Sequence, residues 1–462
     1  MDSKQNIQQL KINKENFFKV REVIIDSKLF EEDKKNKTKK FDLEPLSNIT
    51  NRFEHYLTYL ENFGISLNIN KKLLVLLKKI ETDSATINTV EHDKFLLRIL
   101  GIICKTTFVG PEYFHLDISN PCNIDCNYCW FYSKHLSNPP SYEFKKAMIK
   151  FNDFKHVVDD LSSLLTDTIL FTGAGEPFLH PKINEMIEYV KSKNVKLQIF
   201  TNGTLINKKC TKTIIKSKTD ELFISVSASN PKTYTIVHPN QKDNLFYDCE
   251  ANIKRLIKQK TKHSQKKPNI VLLFVLCKDN YKDIIEMADW TDKLGADSIR
   301  YQIAHNKDSK NIELNNSEKK YVREKIEYVI KKYENKRLHI NPNILFQLKN
   351  TKKNNEWYDG HYIKKGCYVG WFFSRLWADG IYSFCCIKKE IEHLKQKNSF
   401  NSLWKSKKYH NYRQAAASGG KSNIKLSKTY SLIDSDCSVC GNYEINEKVY
   451  NYLKNKELLQ YL

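Results

Sequence analysis

From about residue 112 the chain alternates short apolar runs with longer amphipathic ones. The runs FHLDIS (114–119), TILFT (168–172), KLQIFT (196–201), LFISVS (222–227), NIVLLFVL (269–276) and DSIRYQI (297–303) have strand length and strand-forming residues. Between them, residues 143–165, 183–193, 207–217, 245–260, 281–294 and 316–334 carry apolar positions at helical spacing. Strand–helix alternation at this spacing predicts right-handed crossovers and a parallel sheet. Six such units predict an α/β fold, a partial (β/α)6 barrel open on one side. In such a sheet functional residues sit at the C-terminal ends of the strands.

The flanks differ. In RFEHYLTYLENFG, residues Phe53, Tyr56, Leu57, Leu60 and Phe63 share one helical face, and Gly64 supplies a stop. Leu73, Leu74, Leu77 and Ile80 repeat the pattern, as do Phe95, Leu96, Ile99 and Leu100. Residues 1–105 therefore read as a helical accessory region, with a loop over the Lys-rich segment 31–40. Residues 106–345 read as the barrel. Residues 346–462 read as a small separate Cys-rich α+β domain around a hairpin, FFSRLWADGIYSFC, whose Asp379-Gly380 is a turn signal.

Composition adds limits. The chain has 462 residues, 40% of them hydrophobic and 12% aromatic, enough for sizeable cores in two or three domains. The greasiest stretch, Ile270 to Cys277, is far short of a membrane span, and the polar N-terminus lacks the apolar core of a signal peptide. A cytoplasmic protein without a membrane partner is expected. The net charge of +23 is mostly lysine spread evenly along a Lys/Asn/Ile-rich chain, which reads as solvated surface more than as a nucleic-acid face.

The twelve cysteines are distributed unevenly. Without an export signal they point to thiolate ligands or redox chemistry. Cys104, Cys210, Cys249 and Cys277 are isolated and read as small buried apolar residues, although Cys277 ends the fifth strand facing the barrel mouth. Cys122, Cys126 and Cys129 follow the first strand in NPCNIDCNYCW. Three thiolates on one short loop can hold three irons of a cubane cluster and leave the fourth without a protein ligand. The same spacing also serves a zinc site, with His135 as a fourth ligand.

Here the chain resembles the radical S-adenosylmethionine (SAM) superfamily, which carries CxxxCx(aromatic)C at this place. The resemblance implies a SAM-binding [4Fe–4S] cluster on Cys122, Cys126 and Cys129, with Tyr128 packing against adenine. Thr172-Gly173-Ala174-Gly175-Glu176-Pro177 resembles the family's GGEP motif. It implies SAM contacts from Gly173, Ala174 and Gly175, with Glu176 fixing the loop. Thr201-Asn202-Gly203-Thr204 resembles the TNG turn and brings Asn202 to the same mouth. Ser225-Val226-Ser227 stands where the family usually has S-x-D; Ser225 is carried over as a SAM contact, and Ser227 replaces the usual Asp. The family also implies a reductant such as flavodoxin or ferredoxin.

Near the C-terminus, Cys367-x12-Gly-x4-Cys385 and Cys437-x2-Cys440 can close a second four-thiolate site. The spacing resembles the family's SPASM or twitch extension, and Ser402-Leu403-Trp404 followed by Tyr412-Arg413 resembles its helical connection. A full SPASM domain has about seven cysteines, so a twitch-like domain with one auxiliary [4Fe–4S] cluster fits better. Cys386 adjoins Cys385; the family spacing selects Cys385, and a structural zinc site is the alternative.

Together these imply a radical SAM oxidoreductase or maturase. It would cleave SAM to a 5′-deoxyadenosyl radical and oxidise, or form a bond in, a small-molecule or peptide substrate of peptide, sugar or aminocyclitol type. The rivals are a redox-neutral epimerase and a non-catalytic zinc protein binding nucleic acid.

Overall fold

The computed structural model describes residues 90–103, 105–305, 312–351, 356–358, 360–386, 390–394, 399–419, 432 and 435–462. The chain divides into two compact units, Met1–Gly110 with Glu447–Leu462, and Pro111–Asn446. In the first, the helix Val90–Ile103 buries Phe95, Leu96, Ile99 and Leu100. Phe95 meets Tyr452 edge to face at 5.2 Å, and Arg98 Nε donates to the Gly110 carbonyl at 2.9 Å. The helical patterns over 53–63 and 73–80, the segment 31–40 and Cys104 lie outside the described residues.

The second unit is built on one sheet. Its first six strands are β1 Tyr113–Asp117, β2 Thr168–Thr172, β3 Lys196–Thr201, β4 Glu221–Ser225, β5 Asn269–Leu276 and β6 Ser298–Ile303. They pair in parallel and in sequence order. Helices Phe151–Ser163, Ile183–Ser192, Lys208–Lys216, Asp243–Lys262, Ile284–Leu294 and Asn316–Lys332 each bury one apolar face. The reason is their period: Phe154, Val157, Val158 and Leu161, for example, recur at helical spacing and bury together. A short seventh strand, β7 His339–Asn341, pairs with β6. The sheet does not close, so the architecture is a partial barrel.

Two local outcomes differ from the sequence pattern. The helix expected over 143–165 is broken into Tyr142–Lys146 and Phe151–Ser163. Between them the chain turns extended: Asn120 N donates to the Ala147 carbonyl at 2.9 Å, Asn120 Nδ2 to the Phe144 carbonyl at 2.9 Å, and Ser119 bridges to Met148. The cysteine loop therefore recruits backbone that helical periodicity alone assigns to a helix.

The hairpin read as part of a separate domain is also continuous with the barrel sheet. Its strands are β8 Phe373–Leu376 and β9 Ile381–Ser383, with β10 Glu390–His393 antiparallel beyond them. β8 pairs in parallel with β1, from Tyr113 opposite Phe373 to Leu116 opposite Leu376. Arg375 fixes this seam: its guanidinium donates to the wholly buried Asp117 carboxylate at 2.7–3.2 Å and stacks on Trp377 at 3.6 Å.

Candidate active site

The C-terminal ends of β1, β2 and β3 carry the loops that converge. Cys122, Cys126 and Cys129 lie on the loop after β1. Burial raises the ionisation of all three thiols, that of Cys122 to about 12, and neighbouring Cys129 and Cys122 raise Cys126 further. As free thiols they stay protonated; a coordinated metal would ionise them outright. Cys129 Sγ already accepts from the backbone amides of Phe131 and Tyr132 at 3.4 and 3.3 Å. Such N–H groups favour the thiolate form, which is what an iron ligand requires.

The TGAGEP loop packs directly on this segment. A Cβ on Gly175 would stand 2.0 Å from the Asn120 carbonyl oxygen and 2.1 Å from that of Pro121; one on Gly173 would stand 2.7 Å from the Ser119 oxygen. Only glycine permits this backbone approach. The Glu176 amide donates to the Pro121 carbonyl at 2.8 Å. The buried Glu176 carboxylate accepts from Thr201 Oγ1 at 2.7 Å, the Asn202 amide at 2.7 Å and the Phe178 amide at 3.0 Å. Burial pushes its ionisation up from 4.5 to about 7 against these three hydrogen bonds. Glu176 thus ties the β2 loop to the β3 turn. Asn202 Nδ2 donates to Asn123 Oδ1 at 2.9 Å, and Asn123 Nδ2 to Thr204 Oγ1 at 2.8 Å, so the turn is latched to the cysteine loop. Ala174 is buried beside its two glycines.

Tyr128 is buried, and its hydroxyl donates to Ser227 Oγ at 2.7 Å. Ser227 sits at φ +55°, and its carbonyl accepts from Asn280 Nδ2 at 2.9 Å. The serine in place of the usual aspartate therefore joins Tyr128 to the ends of β4 and β5. Ser225 ends β4, partly exposed, opposite Leu273. Asn127 holds the cysteine loop from another side, donating to the Ile236 carbonyl at 2.8 Å and to Asp279 at 3.2 Å. Cys277 and Cys249 are wholly buried in the apolar core, and Cys210 is buried there too.

The C-terminal cysteines gather separately. Cys367 lies within electrostatic reach of Cys437 and Cys386, and Cys440 within reach of Cys386, Cys367 and Cys385. Trp357 Nε1 donates to the Cys440 carbonyl at 3.3 Å, and the Tyr358 amide to the Ser438 carbonyl at 2.7 Å. Asn446 accepts from the Tyr368 amide at 2.7 Å and donates to the Gly366 carbonyl at 3.0 Å. These bonds bring the two distant Cys segments together. Arg413, flanked by Trp404 and Tyr409 at 4.2 and 4.3 Å, braces the helical connection by donating to the Gly370 carbonyl at 2.8 Å.

Among the described residues, no three His, Cys, Asp or Glu side chains converge as ligands of a single ion would. A cubane does not ask for that, because each thiolate binds a different iron and the sulfurs stand apart. Both cysteine groups have the donor chemistry of such a cluster.

Three residues of this region escaped the sequence reading. Arg375 and Asp117 had no motif to mark them. His305, just past β6, lies between Trp130 and Trp357 at 6.3 and 6.2 Å, with Nδ1 3.2 Å from the Glu313 carboxylate. Its buried Nε2 has no hydrogen-bond partner among the described residues. Position directly after an apolar strand was the available signal.

Residues 116–291 match the family model described as Radical SAM superfamily. The tungsten-containing aldehyde ferredoxin oxidoreductase cofactor-modifying protein of Pyrococcus furiosus is 28% identical over 189 residues, 41% of this chain and 50% of that protein. The S-adenosylmethionine-dependent nucleotide dehydratase of Selenomonas ruminantium is 34% identical over 138 residues, 29% of this chain and 46% of that protein. Each match spans about half of the relative's length. Streptococcus suis SuiB, solved bound to S-adenosylmethionine, superposes with a TM-score of 0.51 at 16% identity, covering 85% of this chain and 81% of that one; the likeness is one of fold.

Proposed function

Since this chain belongs to the radical SAM superfamily through residues 116–291, we propose that it is an oxidoreductase or maturase that abstracts hydrogen from a small-molecule or peptide substrate for net oxidation or bond formation. A [4Fe–4S] cluster with SAM at the three-cysteine loop would supply the chemistry of reductive SAM cleavage. The protein's own contribution is positional. Cys122, Cys126 and Cys129 would hold three irons of the cluster. Gly173, Ala174 and Gly175 offer backbone to SAM, Asn202 and Ser225 line the same mouth, and Tyr128 borders it. The strand ends keep water from the reacting atoms.

The observation that carries this reading is the latching of the β2 and β3 loops onto the three-cysteine loop through Glu176, Asn202 and Asn123. The C-terminal cysteines would hold an auxiliary [4Fe–4S] cluster able to take the second electron of an oxidation. Flavodoxin or ferredoxin would serve as reductant, in the cytoplasm.

Anaerobically reconstituted protein is expected to be brown, to carry about seven to eight irons per chain, and to release 5′-deoxyadenosine from SAM under dithionite. Cys126→Ala should abolish that release while leaving the far-ultraviolet circular dichroism unchanged. Colourless protein with stoichiometric zinc, or undiminished SAM cleavage by Cys126→Ala, would overturn the proposal. Product mass then separates oxidation, with two hydrogens lost, from epimerisation, with none.

A further inference from the structure

The spacing Cys367-x12-Gly-x4-Cys385 selects Cys385 as partner to Cys367. We infer that the fourth thiolate of the C-terminal site is instead Cys386, acting with Cys367, Cys437 and Cys440; the inference rests on the reading of that site as a metal centre.

The local structure explains why the choice moves by one residue. After β9 the Phe384 ring is driven into the core against Tyr409 and Tyr412, at 5.6 and 5.8 Å, and fills the space beside Gly370. The chain then bends away from the strand over residues 384–386, so strict alternation no longer governs which side chain faces the site. Arg375 takes hold of the bend: its Nη1 donates to the Cys386 carbonyl at 2.9 Å, while the rest of its guanidinium stays on Asp117. Cys386 is thereby turned toward the Cys437–Cys440 segment.

The surroundings of its sulfur match that orientation. Cys386 Sγ stands against the segment that follows Cys440. It lies 3.6 Å from where a Cβ on Gly441 would stand. Cys367 lies within electrostatic reach of Cys437 and Cys386. Cys385 lies within electrostatic reach of the Tyr409 phenol.

The test uses the full chain with Cys122, Cys126 and Cys129 all replaced by Ala, so that only the C-terminal site can load. After anaerobic reconstitution with iron and sulfide, this background should hold about four irons per chain and show a reduced-cluster electron paramagnetic resonance signal. Adding Cys385→Ala should leave iron and signal unchanged. Adding Cys386→Ala should remove most of the iron, with near-ultraviolet circular dichroism reporting whether the fold survives. Cys386→Ser, a milder change, should keep some iron and shift the signal. Loss of iron in Cys385→Ala, or full iron in Cys386→Ala, overturns the inference and leaves the metal-centre reading standing. A background that binds no metal with both cysteines intact overturns that reading, and the inference falls with it.

Discussion

Glu176 carries a testable consequence of burial. Its ionisation is displaced upward by loss of solvent, from 4.5 to about 7, so the native state holds the proton more tightly than the unfolded chain. Over that interval the unfolded state releases its proton first, and linkage makes stability fall as pH rises from 4.5 to about 7. Glu176→Gln cannot ionise and should flatten that part of the profile. It also turns an amide NH2 toward one of the three donors, which should cost about 1–3 kcal/mol. Thermal melts of both proteins across the interval would show the two effects; identical slopes would refute the assignment. The motif marks Glu176, but its partners Thr201 and Asn202 are 25 and 26 residues away, a pairing that only the folded chain reveals. Tyr128 makes the same point: the aromatic position is legible, and its bond to Ser227, 99 residues on, is not.

At the scale of elements, each of the six strand patterns corresponds to a strand because a parallel sheet covered by helices needs continuous apolar runs. The broken helix at 147–150 shows where pattern reading stops. Amphipathic spacing reports which residues want burial, but not that the cysteine loop's backbone requires partners there. The glycine loop gives a graded prediction. At Gly175 an added methyl meets two carbonyl oxygens, at 2.0 and 2.1 Å, whereas at Gly173 it meets one at 2.7 Å. Gly175→Ala should destabilise by about 1–3 kcal/mol and weaken SAM cleavage. Gly173→Ala should do less on both counts. Urea denaturation and 5′-deoxyadenosine yield would reveal a reversed order.

For the whole molecule, the seam between β1 and β8 joins the three-cysteine barrel to the hairpin that precedes Cys385 and Cys386. Arg375 and Asp117 sit on it, 10% and 0% exposed. Removing one partner strands a buried charge, so Arg375→Met should cost about 3–5 kcal/mol. The double replacement Arg375→Met with Asp117→Leu should cost less than the two single ones combined. A double-mutant cycle in urea checks this, and strict additivity would mean that the pair is not coupled.

The amino-acid sequence by itself determined the strand and helix periods, the six-unit parallel architecture and the spacing of both cysteine groups, because these are carried by residue type over short separations. Tertiary structure decided what depends on distant chain meeting: the Glu176 latch and the sheet continuing through β8. A bend of the backbone after β9 is held by a guanidinium brought from β8, whose Nη1 donates to the Cys386 carbonyl. No local spacing encodes that bend, since it is set by packing that forms only when β1 and β8 pair.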